Sequence, residues 1–105
     1  MARKQNLSID QSAEFEINFD LHDELGDELD VTNYISFASM KPWYTYGNTY
    51  SFTTTLVTGK LTLSMDTTAT SVIPAGRYVY DATLEHTDGS RMRVVEGNVD
   101  VQPKV

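Results

Sequence analysis

Ile-Pro-Ala-Gly-Arg-Tyr-Val-Tyr-Asp, residues 73–81, is a turn that leads directly into an alternating strand. Proline and glycine favour turns, and tyrosines at alternate positions have the period of a strand with one buried face. This strand is predicted to be the first half of the last hairpin in the chain. The register of that hairpin decides which of its side chains belong to the core.

Asp88-Gly89 is the predicted turn of the hairpin. The pair is typical of a two-residue type I′ turn, because both central residues of that turn need a positive φ. Such a turn places Tyr80 opposite Gly97 and Tyr78 opposite Val99 on the inward face. The ring of Tyr80 is then expected to cover the strand glycine, so that a substitution of Gly97 would displace it.

The same register predicts where the charges of the hairpin lie. Arg93 falls on the inward side near the tip, from where its head can reach water. On the outward side Arg77 is expected to pair with Asp100, whereas Asp81 lies directly opposite Glu96, and like charges in that position are unfavourable. Either a Lys or Arg of a partner, or a cation, neutralises the two acids, or both side chains turn into water.

The rest of the chain is predicted to be β as well, because period-2 alternation recurs roughly every ten to fifteen residues and no helical period persists. Further strands are predicted over residues 7–9, 15–21, 34–40, 50–57 and 60–66. Pro42 is expected to end the third of these, and Asp66 can cap one short helical turn near residues 67–73. The prediction is all-β: one antiparallel β-sandwich domain over residues 1–105, with about seven strands.

Composition narrows the function. The 105 residues carry 15 acidic and 8 basic side chains, a net charge of −7, so nucleic acid is not an expected partner. The absence of cysteine removes disulfides and thiolate chemistry. The first residues lead into an alternating segment instead of an apolar run, which predicts neither a signal peptide nor a membrane span.

No stretch of the sequence predicts catalysis. His22 and His86 lie in an acidic turn and beside a hairpin tip, outside any nucleophile–base or zinc motif, and no glycine-rich loop could hold a phosphate. The acids of residues 23–30 do not have the spacing of a calcium loop. We therefore expect no enzymatic activity, no cofactor and no metal; an ion bound in the acidic turn is the alternative to a solvated loop.

A neutral aromatic segment lies in the middle of the chain. Residues 31–59 contain no acid and a single cation, Lys41, but seven aromatic side chains. Such a segment suits a protein interface or a sugar-binding face. Four of the aromatics are candidate contact residues: Trp43, Tyr44, Tyr46 and Tyr50.

Several of these stretches resemble a known family. Pro-Ala-Gly-Arg-Tyr-Val-Tyr-Asp at 74–81, Asp88-Gly89 and Arg-Val-Val-Glu-Gly at 93–97 resemble the C-terminal half of small Ig-like virion proteins of tailed bacteriophages, most of all those of myovirus-like phages of marine cyanobacteria. Residues 7–11 and 30–34 resemble the Ile-Asp-Gln-Gly and Asp-Leu-Thr-Gly-Tyr signatures of the same proteins. Ser12 and Asn33 stand where those signatures have glycine.

The resemblance implies that the predicted sandwich over residues 1–105 is Ig-like. It also implies a non-enzymatic structural protein located in the virion, which docks on other virion proteins. A second copy of the chain is a further candidate partner. Tail, baseplate, neck and capsid decoration remain open as positions in the particle. Arg77, Asp81 and Glu96 join the aromatic residues as interface candidates, and a carbohydrate-binding adhesion module on the same fold is the alternative, with a glycan as partner.

Overall fold

The computed structural model describes residues 3–22, 25–43 and 48–103, and these form two packed β-sheets and one short helix. The elements are β1 (Arg3–Lys4), β2 (Leu7–Asp10), β3 (Phe15–Asp20), β4 (Tyr34–Pro42), β5 (Tyr50–Ser51), β6 (Thr53–Val57), β7 (Lys60–Met65), α1 (Thr67–Ser71), β8 (Gly76–His86) and β9 (Arg91–Gln102). The first two strands form one edge that is interrupted once, and β5 and β6 divide one predicted strand. The described residues therefore make seven extended runs.

The larger sheet has the strand order β1-β9-β8-β4-β5, and β2 continues the edge along β9. The smaller sheet has the order β3-β7-β6. This arrangement confirms the predicted Ig-like β-sandwich. All pairings are antiparallel except those of the N-terminal edge, because β1 and β2 run parallel to β9.

The predicted strand over residues 50–57 changes sheets at Phe52, which is why it divides in two. The backbone N–H of Phe52 donates to the carbonyl of Ala38 in the larger sheet at 3.0 Å. Its ring is buried, with centroid distances of 5.9 Å to Phe15 and 6.1 Å to Tyr80. Phe52 thus holds the crossing point inside the core.

The core follows the alternation of the strands. Leu61, Leu63 and Met65 of β7 are buried, as predicted, and they face the inward residues of the larger sheet. Directly after β7, the carboxylate of Asp66 caps α1 by accepting the backbone N–H of Ala69 at 2.7 Å, which confirms the predicted cap. The buried Ile73 follows the helix and closes this end of the sandwich.

The hairpin between β8 and β9 differs from its prediction at the tip. The loop has three residues, since the N–H of His86 donates to the carbonyl of Ser90 at 2.8 Å, and only Gly89 in it has a positive φ, of 94°. Between the pairs Ala82–Val95 and Thr83–Arg93 the register shifts by one residue, so that Val94 forms a β-bulge. The predicted two-residue turn is therefore wrong.

The deeper register of the hairpin is confirmed, because the extra loop residue and the extra bulge residue compensate for each other. Tyr80 lies opposite Gly97, and Tyr78 lies opposite Val99. Between the bulge and the tip the pairs differ from the prediction. Arg93 lies opposite Thr83 there and points outward instead of facing Leu84.

Gly97 lies where the N-terminal segment between β1 and β2 comes closest to β9. A Cβ atom at this position would collide with the carbonyl oxygen of Gln5, and the ring of Tyr80 would be 3.2 Å away. The hydroxyl of Tyr80 donates to the same carbonyl at 2.6 Å, and burial raises the pKa of Tyr80 to about 12. The aromatic cover is thus as predicted, but the closest neighbour is a backbone segment that the sequence did not indicate.

We expect Gly97→Ala to destabilise the protein by about 1–3 kcal/mol, because the added methyl group must push the N-terminal strand away from β9. Chemical denaturation measures the loss, and amide exchange at Gln5, whose N–H donates to Glu96 at 2.9 Å, should rise with it. Asn98→Ala, in the same strand with an exposed side chain, is the matched control. Equal stability of Gly97→Ala and the wild type would contradict this account.

Ser12 also carries a backbone constraint, since its φ of 63° is the left-handed conformation that glycine adopts at low cost. We expect Ser12→Gly to stabilise the protein by about 1 kcal/mol in thermal or chemical unfolding. Ser8→Gly, in the extended strand β2, should instead destabilise it. Destabilisation by both changes would show that the loop does not hold Ser12 in a strained conformation.

Candidate functional site

The outer face of the larger sheet brings together most of the predicted contact residues. Tyr78, Tyr80, Ala82 and Leu84 of β8 are buried, so the residues between them point outward, and the register carries this alternation into β4 and β9. The face holds four acids and five of the eight cations in the chain, together with three large apolar side chains. These residues are Asp81, Glu85, Glu96, Asp100, Lys4, Lys41, Arg77, Arg91, Arg93, Ile35, Phe37 and Trp43.

The opposed acids Asp81 and Glu96 are neutralised within the chain. Nη1 of Arg93 lies 3.0 Å from a carboxylate oxygen of Glu96, and its Nη2 lies 3.6 Å from one of Asp81. The predicted alternatives were a Lys or Arg of a partner, a cation, or two solvated acids, and none of them included this arginine. The bulge at Val94 is the reason, because it turns Arg93 to the outward face of β9.

Two further ion pairs cross the same hairpin. Arg77 lies 3.6 Å from Asp100, which confirms the predicted pair, and Arg91 lies 2.8 Å from Glu85. Exposed pairs of this kind contribute about 0–1 kcal/mol each to stability. Their larger effect is on the charge pattern, since they leave this part of an acidic protein nearly neutral.

Ile35 and Phe37 are the apolar residues that the sequence did not single out. Their side chains are 55% and 49% exposed, because Ala38 and Met40 take the buried face of β4. Both alternating sets of this strand contain large apolar side chains, so alternation alone could not say which set points outward. The available signal was that apolar side chains occur in both sets. A sheet of a two-sheet sandwich buries one face in the core, so the apolar residues of the other face remain exposed.

The aromatic candidates divide between the face and the core. Trp43 is 54% exposed, and its backbone N–H donates to the carbonyl of Arg77 at 3.2 Å. The Arg77 guanidinium carbon lies 6.0 Å from the centre of the Trp43 ring. Tyr50 is half-buried, and its ring meets Tyr78 edge-on at 6.2 Å. Tyr44 and Tyr46 lie outside the described residues, and their predicted role stays a prediction.

A shallow cavity of about 540 Å³ opens on the outer face, where the N-terminal strand and the β4–β5 corner rise on either side of β8 and β9. Lys4, Asn6, Ser39, Lys41 and Asn98 are among its lining residues. Lys4 and Lys41 form no ion pair within the described residues. The cavity therefore offers two cations and several hydrogen-bonding groups to a partner.

Asp30, at the end of the acidic turn, bonds to a neighbouring residue of the chain. The carboxylate of Asp30 accepts the N–H of Thr32 at 3.0 Å and the hydroxyl of Thr32 at 2.5 Å, and these bonds lower the pKa of Asp30.

In the described ranges no group of three His, Cys, Asp or Glu side chains could hold a metal ion. Asp23 and Glu24 of the acidic turn lie outside those ranges. No described helix is long and apolar enough to cross a membrane.

We expect Arg93→Ala to lower the free energy of unfolding by about 0.5–1 kcal/mol, because it leaves Asp81 and Glu96 opposed without a cation. Asp81→Asn added to Arg93→Ala should recover part of this loss, whereas Asp81→Asn alone should not stabilise the wild type. Chemical denaturation of the four proteins forms a double-mutant cycle. Arg91→Ala, which breaks a simple pair, is the control, and additive effects in the cycle would show that Arg93 does not couple to Asp81.

Comparisons with known proteins concern the fold. No protein-family model and no curated protein matches this chain. Among solved structures, the chain is similar to murine CRIg, with a TM-score of 0.46 and 8% sequence identity over 95% of this chain and 92% of that one. The assignment of this chain to the β-sandwich class rests on its own two sheets and their strand order.

Proposed function

We propose that this protein is a non-enzymatic structural component of a bacteriophage particle and docks on other virion proteins through the outer face of the larger sheet. The observation that carries the proposal is the exposure of Ile35, Phe37 and Trp43 on that face. Single exposed apolar residues are common on protein surfaces, but three large ones beside paired arginines match the composition of interfaces.

The size and rigidity of the face support docking. The two longest dimensions of the protein are 44 and 25 Å, which leaves room for the ~800 Å² per partner that a standard interface buries. Burial of each large apolar side chain would contribute about 1.5–3 kcal/mol to binding, before the cost of association. Because the face lies on paired strands, little backbone order would have to be gained on binding.

The virion setting is supported by the resemblance of residues 74–81 and 93–97 to phage Ig-like proteins. One backbone observation agrees with it. Ser12 stands where the signature of those proteins has glycine, and its φ of 63° is a glycine-like conformation. The acidic charge of the whole chain and the near-neutral outer face also suit a protein that presents one side to a partner.

The test is binding of purified protein to purified capsids and tails of the phage that encodes it, measured by co-sedimentation. We expect Phe37→Asp to weaken binding by about tenfold or more, because it replaces one of the large exposed apolar side chains of the face with a charge. Val57→Asp, on the smaller sheet with 47% exposure, is the matched control and should bind like the wild type. Equal binding of both variants, or none by the wild type, would overturn the proposal.

The glycan-binding alternative is favoured by a single observation, the exposed ring of Trp43 beside a polar cavity. Trp43 is the only tryptophan, so quenching of its fluorescence by oligosaccharides would report a sugar directly. Such quenching, together with indifference to capsids and tails, would favour an adhesion module.

A further inference from the structure

The free edge of β3 is a second surface, on the smaller sheet, and it is independent of the outer face described above. β3 pairs with β7 on one side and has no strand on the other among the described residues. The N-terminal segment does not cover it, because β1 and β2 pair with β9 in the larger sheet. The edge is six residues long and contains neither a proline nor a bulge.

The hydrogen-bond pattern shows which backbone groups are open. The N–H of Leu21 donates to the carbonyl of Gly59 at 2.9 Å, so the odd-numbered residues of β3 bond to β7. The N–H and C=O groups of the even-numbered residues, Glu16, Asn18 and Asp20, consequently point to the free side. An added strand could pair with these groups without disturbing the sheet.

One contact already occupies the free side, and it comes from a cation. Nη2 of Arg3 donates to the carbonyl oxygen of Asp20 at 3.1 Å, across the gap between the two sheets. Towards the other end of β3 the backbone groups of Glu16 and Asn18 have no such contact within the described residues. The edge is therefore closed at one end and open along the rest.

The side chains beside the edge indicate the chemistry of a partner. Glu14, Glu16 and Asp20 are exposed and form no ion pair within the described part of the chain. On the inner side Phe15 and Ile17 are only partly buried, in contrast to Phe19. A matching strand would carry basic residues on one side and apolar residues on the other.

A cavity of about 360 Å³ lies at the start of the edge. Its lining includes the acids Glu14, Glu16 and Asp66, together with Phe15, Ser64 and Met65. Its acidic lining is complementary to a lysine or arginine side chain that extends beyond the first residue of an added strand.

We propose that the free edge of β3 accepts a strand from a partner protein in which basic residues alternate with apolar ones. A second copy of this chain is a poorer fit, because pairing β3 with itself would bring Glu16 and Asp20 of two acidic molecules together. Backbone hydrogen bonds would supply most of the affinity, and the acids would select the partner.

The test uses a short peptide of alternating lysine and valine, with NMR of the isotope-labelled full chain. We expect shifts at the amides of Glu16, Asn18 and Asp20. A peptide of the same composition with its lysines and valines in separate blocks should bind at least about tenfold more weakly, because it has the charge but not the alternation. Equal binding of the two peptides would mean charge attraction alone and would overturn the proposal.

Two variants at one position separate backbone pairing from charge. Glu16→Pro removes an N–H that points to the free side and is not used by β7, so it should abolish peptide binding while the fold is kept. Glu16→Gln keeps the N–H and should weaken binding by about threefold. If Glu16→Pro does not fold, Glu16→Lys, which reverses the charge, should weaken binding by about tenfold.

Other outcomes distinguish this edge from the outer face. Phe37→Asp should bind the peptide like the wild type, so a failure of docking on virion proteins would leave this result unchanged. Line broadening at the same three amides that depends on protein concentration, in the absence of peptide, would identify a second copy as the occupant and contradict the proposal. Absence of peptide binding to the folded protein would also overturn it.

Discussion

The pairing of β8 with β9 is the constraint on which the other elements depend. β4 adds to one side of this hairpin and the N-terminal edge adds to the other, so the larger sheet is built outward from it. Tyr80 joins three parts of the chain, since its ring packs on Phe52 and covers Gly97 while its hydroxyl binds the carbonyl of Gln5. A change in the hairpin register would therefore break the sheet crossing and the N-terminal edge together.

The features that could be predicted from the sequence are those set by neighbouring residues. The alternation of β3 and β7 and the cap of Asp66 are local, and the deep register of the hairpin was right although its turn was wrong. Asp-Gly fits both a two-residue and a three-residue loop, so the tip could not be decided locally. Because the bulge at Val94 depends on that choice, the position of Arg93 could not be predicted either. The close approach of Gln5 to Gly97 involves segments far apart in sequence and left only the glycine as a sign.

The candidate site was predicted in part. Trp43 and Arg77 are brought together, and so are Asp81 and Glu96, but the cation between the two acids comes from the chain itself. Tyr50 belongs to the boundary of the core, and Ile35 and Phe37 were missed. The acids are concentrated away from this face, along β3 and the turn that follows it, so the two sheets differ in charge. A protein with two unlike surfaces can join two different neighbours in one assembly.

The tip of the hairpin, residues 87–89, lies beyond Leu84, the last fully buried residue of β8. Ala82, Leu84 and Val95 are held in the core, whereas the contacts described for the loop at 87–89 are local ones among His86, Asp88, Gly89 and Ser90 and one hydrogen bond from Thr87 to Asn33. Residues inserted at the tip would therefore extend into solvent without moving the sandwich. The hairpin tip is a site at which a foreign peptide could be displayed, with the fold acting as its carrier.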